Sequence, residues 1–143
     1  MILYHLHLHH HNILPLYPLV WSSSLFLFPC AYALYKKKSK LFVSSSTLST
    51  LISMHYWATC VHSQRYLWIN MSLCKINGIL YILHGYWNIT NGVIRAISII
   101  NFISLTFLYE KSHEMFLQNS IYWIYYHMGF HVCSAAGGIL ALI

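Results

Sequence analysis

Twenty-six consecutive residues, Gln118 to Ile143, carry no formal charge, and the rest of the chain is built in the same way. Asn12 to Tyr35 is a second such run, ended by lysines, and Leu41 to His62 is a third. Tyr66 to Tyr109 is long enough for two more, interrupted only by Lys75 and Arg95, with the natural break around Thr90 to Gly92. Apolar runs of about 20 residues match the thickness of a bilayer core when helical, and only helices or closed barrels satisfy the backbone there. The expected fold is therefore an all-α membrane protein, a bundle of three to five transmembrane helices.

Composition excludes most alternatives. Of 143 residues, 58% are apolar and 7% are charged, where about 25% charged is usual for a soluble domain. Ten charged side chains cannot cover a soluble protein of this size, so a free cytosolic enzyme is excluded. The two carboxylates are Glu110 and Glu114, so the first 109 residues offer neither an acid/base pair nor an oxygen cage for a hard cation.

Four of the eight cations, Lys36, Lys37, Lys38 and Lys40, lie in one short stretch directly after an apolar run. Such a cluster orients a membrane protein, marking a cytoplasmic or matrix loop in contact with lipid headgroups. It also divides the chain into 1–40, a basic N-terminal segment with one span kinked by Pro15, Pro18 and Pro29, and 41–143, a helical membrane region. The serine-rich start of the third run (Ser44, Ser45, Ser46, Thr47, Ser49, Thr50, Ser53) predicts a helix that faces protein rather than lipid, because hydroxyls in hydrocarbon need partners. Glu110 to Glu114 reads as a short interfacial loop, with Tyr109, Tyr122, Trp123, Tyr125 and Tyr126 as an aromatic belt around it.

Cys30, Cys60, Cys74 and Cys133 are scattered singly in apolar contexts, which predicts buried, reduced thiols with no disulfide framework and no zinc site. The first eleven residues alternate leucine with histidine, and imidazole suits copper and zinc, but neither cysteine nor carboxylate neighbours them. Up to Trp68 the chain is basic, serine-rich and free of acid, as transit peptides are, although its long apolar stretch is unlike a cleaved presequence.

Polar rings inside a span are costly unless paired, which singles out His84, His127 and His131. His84 is followed one turn later by Asn88 and then by Asn91 on the same face, and Gly85 beside it would leave room for a flat group such as a porphyrin. His127 and His131, at i and i+4, share a face; they read either as a metal or haem-edge pair or as interhelical hydrogen-bonding groups beside the small stripe Gly129, Cys133, Gly137. On an unbroken helix, Arg95 would lie about 16 Å beyond His84, at ~1.5 Å per residue, within reach of a haem propionate or a quinone carbonyl near the interface.

The stretch Ile82-Leu83-His84-Gly85-Tyr86-Trp87 resembles the haem-ligating start of the second helix in the small membrane-anchor subunit of succinate dehydrogenase, respiratory complex II. Arg65, Leu67 and Met71 to Lys75 resemble the lead-in to the first helix of the large anchor subunit, and Ile89, Thr90, Gly92 and Val93 echo the same subunit. The likeness covers about residues 65 to 95, and His127 to His131 is a compressed version of a further motif. It departs from the family at Asn88, where the small anchor has glycine, and at Arg95-Ala96, where it has Asp-Tyr, so the quinone-binding tyrosine does not transfer. The resemblance implies a non-catalytic anchor of the mitochondrial inner membrane that holds haem b and ubiquinone through His84, His127, Asn88 and Arg95, with His84 on the haem iron. Its partners would be the other subunits of the respiratory complex and membrane lipids, not nucleic acid. The competing expectation is a structural supernumerary subunit with no cofactor. A metal transporter is disfavoured, because no acidic relay lies in the spans.

Overall fold

A computed structural model describes residues 17–38, 40–61 and 63–143. Expectations that fall on residues 1–16, among them the leucine–histidine stretch and the first part of the N-terminal span, lie outside the described residues. The described chain is all-helical: α1 (Tyr17–Ser23), a 3-10 turn (Ser24–Phe26), α2 (Leu27–Tyr35), α3 (Lys40–His55), a π-helical turn (Tyr56–Cys60), α4 (Gln64–Asn88), α5 (Gly92–Leu117) and α6 (Tyr122–Leu142). Three helical stretches are long and apolar enough to cross a membrane: Tyr17–Tyr35, Gln64–Asn88 and Gly92–Leu117. The protein is a multi-pass helical membrane protein.

Local chemistry explains the boundaries. Pro29 cannot donate to Leu25 and its ring crowds that carbonyl, and the α-helical ladder gives way to the 3-10 turn at Ser24–Phe26, immediately upstream. Helix α2 stops where Lys37 takes a left-handed conformation (φ 50°), with Lys37 N–H bonding Leu34 O at 3.0 Å and Lys38 N–H bonding Ala33 O at 2.8 Å. Ser63 caps α4, and Asn91 caps α5 by accepting from Val93 and Ile94 N–H at 2.9 and 3.2 Å. The break at Ile89–Asn91 falls where the sequence placed it.

Two expectations are corrected. Glu110 to Glu114 is not a loop but the penultimate turn of α5, held by a Lys111–Glu114 ion pair of 2.6 Å at i, i+3 spacing. The connection comes later, at Gln118 to Ile121, where Asn119 adopts the left-handed conformation (φ 55°). The final run was expected to be the plainest span. Helix α6 instead is absent from the apolar spans and forms the hub, packed by α5, α4, α2 and α1. Its aromatic and histidine residues dilute its hydropathy, while its small residues invite neighbours. A Cβ on Gly129 would meet Leu108 Cδ2 at 3.3 Å, and one on Gly138 would meet Pro29 Cβ at 3.0 Å.

The serine-rich helix faces protein, as its hydroxyls require. Ser46, Ser49, Thr50 and Ser53 are buried, Ser46 Oγ lies 2.6 Å from Tyr81 Oη, and Ser23 Oγ donates to Ser53 Oγ at 3.3 Å. Two apolar clusters sit at the two ends of α3: Ala33, Phe42, Tyr81, Ala141 and Leu142 at one, and Leu19, Tyr56, Trp57 and Val61 at the other. The outer face is different. In the most apolar window of α5 no residue is buried, and in that of α4 only 11% are.

Candidate functional site

His84 lies near the C-terminal end of α4, beside the Ile89–Asn91 break, half-buried against Phe42 with ring centroids 4.7 Å apart. Asn88, one turn on, donates from Nδ2 to His84 O at 2.8 Å and lies 3.2 Å from His84 Nδ1. A carbonyl only accepts, so Nδ2 is the donor in both contacts, Nδ1 is an acceptor, and the proton sits on Nε2. That Nε2 is buried without a hydrogen-bond partner. An axial haem ligand needs the opposite tautomer, with Nε2 bare and Nδ1–H anchored on an acceptor.

The space expected beside His84 is filled. A Cβ on Gly85 would meet Ala141 Cβ and Ile89 Cδ1, each at 3.3 Å, because α6 runs against this turn. The nearby cavity, lined by Asn88, Ile89, Thr90, Asn91, Ile94 and Ile143, holds about 60 Å³ and is far short of the several hundred Å³ a prosthetic group occupies. Gly85 thus serves close helix packing rather than a porphyrin, and these residues do not fit haem in this conformation.

Asn91 and Arg95 are not on the His84 face either. Asn91 has left α4 to cap α5, and the helix break reverses the chain, so Arg95 folds back and donates from Nη2 to Ile89 O at 2.6 Å. Its charge stabilises the C-terminal end of α4. The 16 Å reach along one helix does not exist.

His127 and His131 lie on α6, within the opposite part of the bundle. Ser112 Oγ of α5 donates to Trp123 O at 3.2 Å and lies 3.3 Å from His127 Nδ1; Ser22 Oγ of α1 lies 2.8 Å from His131 Nδ1. Aromatic rings close around them. Trp57 packs edge-on to His127 at 5.2 Å and Phe26 to His131 at 5.1 Å, with the two imidazoles 4.9 Å apart. Both histidines therefore act as interhelical hydrogen-bonding groups, one to α5 and one to α1. His84 contacts Phe42 and His127 contacts Trp57, fifteen residues apart on one continuous helical rod, or about 22 Å at ~1.5 Å per residue. They cannot bind one cofactor together.

The serine partners had no signature in the sequence: Ser112 belonged to the presumed loop, and Ser22 stood among three consecutive serines. Trp123 also leaves the expected aromatic belt, packing inward on Trp57 at 6.2 Å and Phe116 at 5.4 Å. Among the described residues no group of three or more His, Cys, Asp or Glu side chains could hold a metal ion. No protein family, curated protein or solved structure matches the chain.

Proposed function

We propose that the chain is a non-catalytic, membrane-embedded subunit of a hetero-oligomeric respiratory assembly in the mitochondrial inner membrane, where its helices fill space between larger subunits and lipid. The observation that carries this reading is the contrast between the two sides of the bundle. Inward, His127, His131 and most of the buried hydroxyls are bonded to one another or to backbone; outward, α4 and α5 present Ile76, Ile79, Leu83, Ile99, Ile103 and Phe107 with nothing over them. The basic, acid-free composition up to Trp68 and the resemblance of residues 65 to 95 to complex II anchors support the mitochondrial placement. Electrophoresis of mildly solubilised membranes under native conditions tests it. Co-migration with a multi-subunit complex is expected, and mobility as a single chain would overturn the reading.

A second reading is an anchor of complex II that contributes to haem b and ubiquinone binding and to electron transfer from succinate. It is favoured by the unpartnered Nε2 of His84. Ligation there would require Asn88 to release Nδ1 and Phe42 and Ala141 to withdraw. A reduced-minus-oxidised visible spectrum of the complex, compared with that of His84→Leu, separates the two. A b-type band lost in the variant supports the anchor; an identical spectrum leaves the scaffold.

A further inference from the structure

Cys60 packs at the edge of the Leu19, Tyr56, Trp57 and Val61 cluster and has a histidine nitrogen against its sulfur. Cys30 is buried, 3.7 Å from Val43 O and 3.2 Å from Thr47 Oγ1, and Cys74 is turned to Asn70 Oδ1 at 3.7 Å. Cys60 Sγ instead lies 3.4 Å from His55 Nε2 and 3.3 Å from Thr59 Oγ1, in a group whose histidine and threonine are exposed.

The backbone makes this meeting. On a regular α-helix, residues five apart differ by about 140° around the axis and face apart. His55 and Cys60 bracket the π-helical turn Tyr56–Cys60, whose i→i+5 ladder places them one turn apart on one face. The proton arrangement follows from the acceptors. Thr59 Oγ1 donates to His55 O at 3.0 Å, so at 3.2 Å from His55 Nδ1 it accepts the Nδ1 proton. Nε2 is then unprotonated and faces the thiol. Nucleophile, base and a third group that orients the base are all present.

We infer that Cys60, with His55 as its base and Thr59 as the residue positioning that base, is a thiol–disulfide exchange site for small disulfides such as glutathione disulfide. His55 Nε2 takes the thiol proton as Cys60 Sγ attacks one sulfur of the disulfide. The S–S bond of the reagent breaks, a Cys60–glutathione disulfide forms, and the departing thiolate takes the proton from His55, leaving one reduced glutathione. The site belongs to the end of the bundle away from the Lys36–Lys40 turn, just before Gln64 opens an apolar span. Positive-inside orientation assigns that end to the side opposite the cytoplasm or matrix, which favours disulfides over acyl-CoA as the reactant.

The test uses the full chain in lipid nanodiscs with a metal chelator present, treated with glutathione disulfide and sampled over time by peptide mass spectrometry. Cys60 should gain glutathione at least tenfold faster than Cys30, Cys74 or Cys133. His55→Gln should remove most of that advantage, and Thr59→Val part of it, with helicity by circular dichroism unchanged. Equal rates at all four cysteines, or an undiminished rate in His55→Gln, would overturn the assignment. Should His55→Gln fail to fold, deletion of Ala58, which returns the π-turn to α-helical register, serves instead. A Cys60 rate unaffected by that deletion would equally overturn it.

Discussion

At Gly137 a single added methyl would push aside a hydrogen-bonded side chain. Its Cβ would lie 2.7 Å from Asn101 Nδ2, the group that donates to Cys133 O at 3.0 Å and ties α5 to α6. Gly137→Ala is expected to cost about 1–3 kcal/mol through overpacking and loss of that bond. Gly78 is the control, since a Cβ there meets nothing within 4 Å, and Gly78→Ala should be neutral or stabilising by up to about 1 kcal/mol. Thermal melting of the two variants in one lipid composition measures the difference. Ser46 and Tyr81 allow a second test, because their hydroxyls are buried and bonded across α3 and α4. A double-mutant cycle of Ser46→Ala and Tyr81→Phe should give a coupling of about 0.6 kcal/mol, the average for interhelical hydrogen bonds in membranes, and no more than about 1.7 kcal/mol. A coupling near zero would show that the hydroxyl ladder follows packing and does not drive it.

Among the elements, the first helical rod and α6 are coupled through a proline. Pro29 interrupts one helix and sets its Cβ where a side chain on Gly138 would sit, 3.0 Å away. Gly138→Ala should therefore be destabilising alone, and its added cost should shrink in a Pro29→Gly background, which removes the Cβ it meets, as read by the same melts of the single and double variants. This element was legible in the sequence only in part. Uncharged runs and lysine punctuation bracketed the number of spans at three to five and located the break before Gly92, because charge and helix-capping residues act locally. The burial of the serine-rich α3 was legible for the same reason, since each hydroxyl carries its own demand for a partner. What the sequence hid depends on contact between distant residues. Ala141 occupying the space at Gly85, Ser22 meeting His131, and Arg95 turning back on Ile89 are products of packing and chain reversal. The His55–Cys60 pair was hidden by a different cause: five-residue spacing has no face in α-helical periodicity, and only the π-turn gives it one.

For the whole molecule, the lysine turn and the Ile89–Asn91 break lie at one end, with Lys36, Lys37, Lys38, Lys40 and Arg95 near it and neither glutamate. Arg65 and Lys111 are at the other end with Glu110 and Glu114, where charges cancel. A cysteine introduced for labelling at Lys37 should react only from the inner side of sealed vesicles, and one at Asn119 only from the outer side. Labelling of both from one side would refute the orientation. Such an uneven distribution of charge also makes the chain a responder to the electric field of an energised membrane. Each cation carried against a potential of 100 mV costs about 2.3 kcal/mol, so moving all five across would be opposed by about 12 kcal/mol. Voltage itself then acts as a proofreader of insertion, holding the basic end on the negative side.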